Sequence, residues 1–166
     1  MSTTLSTTES EPGAAPASEH DHHRCVEDAL AGAEGLCADS GTRLTELRRR
    51  VLQEVWRGHD AVKAYDILER LGEAHRTAKP PTVYRALQFL QAQGLVHRLE
   101  SLNAFVGCAE PGRTHQGQFL ICHGCGQVRE IHAETVSEAV VRSAEEAGFR
   151  VERQMVEVLG TCERCQ

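Results

Sequence analysis

The chain has 166 residues, enough for one domain or two small ones, and its 40% hydrophobic and 25% charged residues are ordinary for a globular protein. No apolar run approaches the ~18 residues of a membrane span, and no basic segment precedes an apolar stretch at the N-terminus, which argues against a membrane-spanning or secreted protein and favours a cytoplasmic one. The formal net charge of −6 argues, as an average, against a nucleic-acid-binding protein.

Residues 1–23 are predicted to form a disordered acidic tail. Ser, Thr, Glu, Pro and Ala dominate this segment, and so few large apolar side chains cannot offset the entropy that is lost on ordering. His20, His22 and His23 lie at its end; we interpret them as solvent-exposed, with weak metal binding as the alternative.

Four helices are predicted next, because apolar side chains recur at helical spacing over residues 24–39, 43–57, 63–75 and 81–93. The last of them starts with prolines, which suit the first turn of a helix, and ends before Gly94, a residue type that often follows a helix. One side of this helix is apolar and is predicted to face inward, while the other side carries Tyr84, Arg85 and Gln88.

Two short alternating runs, residues 95–100 and 103–108, follow the fourth helix and predict a β-hairpin. Three helices followed by a hairpin are typical of a winged helix-turn-helix, in which the exposed side of the last helix contacts DNA bases. We therefore expect residues 24–108 to form a DNA-binding domain.

The charge is distributed unevenly along the chain. Residues 1–41 carry a formal charge of −7, residues 42–107 carry +4 and residues 108–166 carry −3. A basic block within an acidic chain is either a surface for a polyanion or an ordinary solvated face, and charge alone leaves both interpretations open.

Residues 109–117 are polar and contain Pro and Gly, which predicts a hinge before a second domain at residues 118–166. Strands are predicted at residues 117–123, 127–131 and 149–160, and a helix at 133–147. The predicted fold class is thus α+β, an N-terminal winged helix-turn-helix followed by a small α/β domain. Because a unit of this size buries little surface alone, dimerisation and a structural metal are expected to stabilise it.

The second domain contains two Cys-x-x-Cys pairs, Cys122 with Cys125 and Cys162 with Cys165. Each pair places two thiolates on a tight turn, and four sulfur donors complete a tetrahedral shell around Zn²⁺. Disulfides are disfavoured in the cytoplasm, and a thioredoxin-like dithiol needs only one pair. Since a closed shell has no open coordination position, the predicted site is structural rather than catalytic.

A second set of candidate ligands lies on both sides of the hinge: His97, Cys108, His115 and Glu130. Their nitrogen, sulfur and oxygen atoms form a donor set that suits tetrahedral Zn²⁺, and a metal bound by them would fix the angle between the domains. From spacing alone, an ordinary surface or core role for each residue remains the more common alternative.

These motifs together resemble the ferric uptake regulator family of metal-dependent repressors, and within it the zinc-sensing members. The resemblance covers residues 24–166. It rests on the segments RLTELRRRVL (43–52), AYDILERL (64–71), AKPPTVYRALQFL (78–90), GLVHRLESLNAFVGC (94–108), FLICHGCGQVREI (119–131) and GTCERC (160–165).

The resemblance implies a homodimeric repressor of zinc uptake genes that uses zinc as co-repressor, binds an inverted repeat in double-stranded DNA and has no small-molecule substrate. It implies two zinc ions per subunit: a structural ion bound by the four cysteines of the paired motifs and a regulatory ion bound by His97, Cys108, His115 and Glu130. Arg85 is expected at a guanine edge, and Arg48 and Arg49 at phosphates. Besides Arg48 and Arg49, the candidate DNA-binding residues are Tyr65, Lys79, Thr82, Tyr84, Arg85 and Arg98.

Two alternatives to a zinc-sensing regulator are disfavoured by the sequence. An iron-, manganese- or peroxide-sensing regulator of the same family is disfavoured, because His115 stands alone where iron-sensing members have a His-rich run and because manganese prefers donors other than thiolate. A zinc-dependent or dithiol enzyme would need an open metal position or a reactive thiol beside a base, and the sequence indicates neither. We therefore expect a regulator and not an enzyme.

Overall fold

The computed structural model describes residues 22–58, 60–74, 79–112 and 117–166. The predicted tail up to residue 21 and the candidate ligand His115 lie outside the described residues. Over the described part the chain is α+β, as the sequence predicts. Within that part, no helix combines the length and the apolar character that crossing a bilayer requires.

The N-terminal part is built from α1 (His22–Asp39), α2 (Glu46–Val55), α3 (Ala64–Ala74) and α4 (Pro80–Ala92). All of them correspond to predicted helices. Helix α2 starts later than predicted because the backbone of Thr45 is extended, with ψ at 161°. The apolar sides of the helices meet in a common core, whose most buried members include Val51, Leu52, Ile67, Leu87 and Leu90.

A β-hairpin follows α4, as predicted, and completes a winged helix-turn-helix. Its strands, β1 (Val96–Leu99) and β2 (Ala104–Gly107), pair antiparallel; we call residues 96–107 the wing hairpin. Strand β2 lies against the indole of Trp56 so closely that a Cβ on Gly107 would approach the ring to 2.3 Å. Only glycine allows this approach of backbone to ring.

The C-terminal part contains the strands β3 (Gly117–Cys122), β4 (Val128–Ile131) and β5 (Met155–Gly160) and the helix α5 (Glu134–Glu146). Strand β3 lies between the other two, antiparallel to β4 and parallel to β5, and α5 forms the crossover that a parallel pair needs. The strand predicted at residues 149–160 is shorter in the structure, because pairing with β3 begins at Met155, opposite Gly117.

The wing hairpin packs directly against the C-terminal sheet. Leu99, at the end of β1, is fully buried in a cluster with Phe119, Ile121 and Val128 of β3 and β4. These apolar contacts bring the end of the N-terminal part beside the sheet, and His97, Cys108 and Glu130 lie at this junction.

Candidate metal centres and nucleic-acid interface

The four cysteines of the two Cys-x-x-Cys pairs come together at one end of the C-terminal sheet. Their sulfur atoms lie within 4.8 Å of one another, with 3.6 Å between Cys125 and Cys162. The reason is the register of the sheet: β3 and β5 run parallel with Cys122 opposite Gly160, so both turns leave the sheet at the same end. A Cβ on Gly124 would lie 3.2 Å from the sulfur of Cys165, so a glycine there lets the two turns approach.

The thiols of this cluster are perturbed in opposite directions. Backbone hydrogen bonds from Cys162 and Cys125 lower the pKa of Cys122 to about 6. Hydrogen bonds with the neighbouring cysteines, and the negative charge of Cys122, raise the pKa of Cys165 to about 12. A cluster that stabilises one thiolate and opposes a second lacks positive charge, which a divalent ion held by four sulfurs would supply. The donor set therefore fits zinc.

Three residues of the predicted hinge site also come together. His97 lies on β1, Cys108 directly follows β2 and Glu130 lies on β4, and one donor atom of each lies within 4.8 Å of the other two. The Nε2 atom of His97 is 3.3 Å from Oε1 of Glu130, and the backbone N–H of Ala109 donates to Oε2 of Glu130 at 3.2 Å. The fourth predicted ligand, His115, is outside the described residues.

This hinge cluster is buried, which decides its chemistry. Cys108 is only 1% exposed, and burial together with the charge of Glu130 raises the pKa of its thiol to about 12. A carboxylate buried beside a thiol that resists ionisation is costly unless a cation lies nearby. Imidazole, thiolate and carboxylate donors around such a cation suit zinc.

Two residues that shape the hinge cluster were not singled out from the sequence. The ring of Phe119 lies 5.1 Å from the ring of His97, centroid to centroid. A Cβ on Gly117 would lie 2.7 Å from that phenyl ring and 3.3 Å from Nδ1 of His97. The alternation along this strand marks Phe119 as a core residue, but the contact with a histidine of another sheet has no local signal in the sequence.

Five of the residues predicted to contact DNA lie on or beside the helices α3 and α4, and all five are exposed. Tyr65 at the start of α3 is 70% exposed and Tyr84 on α4 is 53% exposed. Large aromatic side chains this exposed in a basic segment mark an interaction surface. Further predicted contacts on or beside α4 are also exposed: Lys79, Thr82 and Arg85.

Other predicted phosphate contacts are engaged within the protein. Arg98 donates to the side chain of Asn103 at 3.2 Å, which anchors it in the turn of the wing hairpin. Arg48 stacks on the ring of Phe89 at 3.4 Å, and Arg49 pairs with a carboxylate of α1. Contact of Arg48 or Arg49 with a phosphate would have to share or replace these interactions.

Comparison with known proteins places the fold in a family. The profile of the Ferric uptake regulator family matches residues 39–159. The zinc uptake regulation protein of Escherichia coli (strain K12) is 42% identical over 143 residues, which are 84% of this chain and 82% of that protein. A solved zinc uptake regulator complexed with zinc and DNA superposes with a TM-score of 0.81 at 42% identity, over 84% of this chain and 94% of the other.

Two solved structures of another similar protein, XcZur, match this chain to different degrees. Holo XcZur superposes with a TM-score of 0.77 at 40% identity, over 83% of this chain and 96% of that one. Apo XcZur, at 39% identity over 84% and 97% of the chains, gives only 0.50. At nearly equal identity and coverage, this chain thus superposes better on the holo structure than on the apo structure of that relative. With the family profile matched over most of its length, the chain belongs to the ferric uptake regulator family.

Proposed function

We propose that this protein is a zinc-responsive transcriptional repressor that represses zinc uptake genes when zinc is bound. The observation that carries the proposal is the hinge cluster, in which His97 of the wing hairpin and Cys108, directly after the hairpin, lie beside Glu130 of the C-terminal sheet. This cluster links zinc binding to the position of a DNA-binding element. Similarity to a zinc uptake regulator solved with zinc and DNA supports both the proposed zinc binding and the proposed DNA binding.

The four-cysteine cluster would hold a structural zinc ion. Bound metal contributes to the folding free energy of such a unit, because the sulfurs are brought together only in the folded chain. The C-terminal sheet has few residues to form a core, which makes this contribution important. A total of two zinc ions per subunit is part of the proposal.

The hinge cluster, with His115 as its proposed fourth donor, would hold the regulatory zinc ion. A bound ion would supply the divalent charge that allows the Cys108 thiol to ionise beside Glu130. His97 and Cys108 then hold the base of the wing hairpin against β4. A hundredfold gain in DNA affinity needs only ~2.7 kcal/mol of coupling between the two sites.

Helix α4 is proposed to enter the major groove. Arg85 would contact a guanine edge, and Tyr84 a phosphate or a thymine methyl group. The other proposed contacts position the helix on the DNA backbone: Tyr65, Lys79, Thr82 and Arg98.

A homodimer is proposed because the C-terminal part exposes an apolar surface. Helix α5 has no buried residue although it carries a valine stripe. The exposed apolar side chains of this part are Leu120, Val136, Val140, Phe149, Val158 and Leu159. A twofold dimer through this surface presents two copies of α4 and reads an inverted repeat. The domain boundaries 24–108, 109–117 and 118–166 and the cytoplasmic location belong to this proposal as well.

A DNA-binding assay with buffered metals tests the function. The full-length protein is titrated onto promoter DNA that contains an inverted repeat, at fixed free concentrations of Zn²⁺, Fe²⁺ or Mn²⁺. We expect sequence-specific binding that Zn²⁺ supports at a lower free concentration than Fe²⁺ or Mn²⁺ does. Binding that iron or manganese supports better than zinc would contradict the metal assignment, and binding that no metal changes would contradict a regulatory site.

A further inference from the structure

The turn of the wing hairpin is tied to the C-terminal sheet by a carboxylate. Glu157, on β5, accepts a hydrogen bond from the backbone N–H of Glu100 at 2.8 Å through Oε1. Its Oε2 accepts a second from the backbone N–H of Ser101 at 3.1 Å, and a third from the hydroxyl of Ser101. These residues are 56 and 57 positions apart in the chain, so the contact joins the two parts of the protein.

The turn is shaped to receive this carboxylate. The backbone N–H of Asn103 donates to the carbonyl of Glu100 at 3.2 Å, and Asn103 has a positive φ of 47°, which closes the turn. Successive N–H groups in such a turn form a concave site for an anion. Partial burial raises the pKa of Glu157, but the hydrogen bonds from Ser101 and Glu100 outweigh it and hold the pKa below its usual range. Glu157 is therefore ionised at neutral pH, and its hydrogen bonds are charge-assisted.

The carboxylate and the hinge cluster hold opposite ends of the wing hairpin. His97 faces Glu130 near the base, and Ser101 meets Glu157 at the turn, four residues further along the chain. Between them, Leu99 packs on the same sheet, and β2 lies on Trp56 of the helical layer. The carboxylate adds a polar attachment at the turn, away from the hinge cluster, and so further restricts the direction in which the wing projects.

We propose that Glu157 is a positioning residue for the regulator: it holds the wing in the DNA-binding direction and thereby raises the affinity of the hinge cluster for zinc. This inference rests on the proposed function. Both attachments stabilise the same packed arrangement, so each reduces the conformational freedom that the other must restrict. Loss of Glu157 is then expected to weaken zinc binding although no zinc ligand is removed.

The test uses the full-length protein with Glu157→Gln, with Ser101→Ala and with both substitutions. The control is Glu146→Gln, which replaces an exposed carboxylate of the same part of the protein. Zinc affinity of the hinge site is measured without DNA by competition with a fluorescent chelator, and DNA binding is measured over a zinc titration. For Glu157→Gln we expect the free zinc concentration at half-maximal zinc binding, and that at half-maximal DNA binding, to rise about three- to tenfold. Excess zinc should restore most of the DNA affinity, and Glu146→Gln should match the wild type.

The double variant separates positioning from direct DNA contact. If Ser101 acts through Glu157, Ser101→Ala alone has a small effect on the zinc affinity and on the DNA affinity. It has no further effect on either once Glu157 is replaced. Zinc affinities of Glu157→Gln and Glu146→Gln that agree would overturn the inference. The inference would also be overturned if Ser101→Ala lowered the DNA affinity as much in the Glu157→Gln protein as in the wild type, since Ser101 would then contact DNA itself. If the wild type showed no zinc-dependent DNA binding, the proposed function would fail, while the chelator assay would still decide the role of Glu157.

Discussion

At the scale of single residues, the thiol of Cys108 needs a bound cation in order to ionise at neutral pH. It is buried beside Glu130, which raises its pKa to about 12, so without a metal it is protonated at neutral pH. A metal ion must displace this proton in order to bind the sulfur. Occupancy of the hinge cluster is therefore linked both to this residue and to pH.

We expect Cys108→Ser to remove one zinc ion per subunit and to leave the other in place, because a serine hydroxyl is a poor zinc ligand. Zinc-dependent DNA affinity should fall about a hundredfold, the ~2.7 kcal/mol of coupling proposed above. Elemental analysis after gel filtration and a DNA titration measure the two effects. Cys25→Ser is the matched control, because Cys25 is half-buried on α1 and outside both clusters. A Cys108→Ser protein that keeps both ions would contradict the assignment.

The affinity of the hinge cluster for zinc is expected to rise with pH. Because the pKa of Cys108 is raised to about 12, each ion that binds releases its proton throughout the neutral range. The apparent Kd should therefore fall about tenfold from pH 7 to pH 8. Competition with a chelator whose zinc affinity is known at each pH provides the measurement. A Kd that stays constant over this range would show that the thiol is already ionised in the metal-free protein.

Arg85→Ala is expected to relax the base preference at one position of each half-site. A bidentate contact between arginine and guanine contributes ~1–3 kcal/mol to discrimination, whereas a phosphate contact contributes equally on every sequence. Binding to operators substituted one base at a time measures the difference. Lys79→Ala serves as the comparison, since Lys79 is exposed beside the same helix and is assigned to the backbone. Equal weakening of all operators by Arg85→Ala would assign Arg85 to a phosphate instead.

At the scale of elements, the wing hairpin is anchored on both of its sides. Strand β2 lies on Trp56 of the helical layer, and Phe105 pairs with Val62 through two backbone hydrogen bonds of 2.8 Å. On its other side, Leu99 is buried against the C-terminal sheet. The hairpin thus connects the junction with the helical layer.

Gly107→Ala is expected to destabilise this anchoring. The added methyl group would overlap the indole of Trp56, and overpacking of this kind costs ~1–3 kcal/mol. Chemical denaturation of the zinc-loaded protein measures the free energy of unfolding. Gly35→Ala provides the opposite control: the site in α1 has open space for a Cβ, and alanine favours a helix over glycine by ~0.5–1 kcal/mol. A Gly107→Ala variant as stable as the wild type would show that the ring moves aside without cost.

Local patterns were sufficient to predict most elements, while contacts between distant segments were not. The helical spacing in α2 to α4 and the paired cysteines depend on neighbours in sequence, and the structure confirms the helices and brings the cysteines together. The contact of Glu157 with Ser101 depends on the register between β5 and β3 and on the packing of the wing, which no short segment encodes. The fourth ligand, His115, remains a prediction.

At the scale of the whole molecule, the unequal distribution of charge agrees with the proposal that the N-terminal part binds DNA and the C-terminal part forms the dimer. The basic residues 42–107 contain α2 to α4 and the wing hairpin, while residues 1–41 and 108–166 are acidic. A dimer formed through the C-terminal part doubles the basic surface and leaves the two acidic C-terminal parts in contact through apolar side chains. The net charge of −6 therefore does not describe the surface that would meet DNA.

Val140→Arg is expected to dissociate the proposed dimer. Val140 lies on α5 among the exposed apolar side chains, and a charge buried without a partner at an interface costs several kcal/mol, roughly a hundredfold or more in the dimer dissociation constant. Sedimentation velocity over a range of concentrations measures that constant. DNA affinity should fall with it, because a single subunit contacts one half-site. Glu138→Arg adds the same side chain to the opposite side of α5 and should leave the dimer intact. A Val140→Arg protein that remains dimeric would place the interface elsewhere on the molecule.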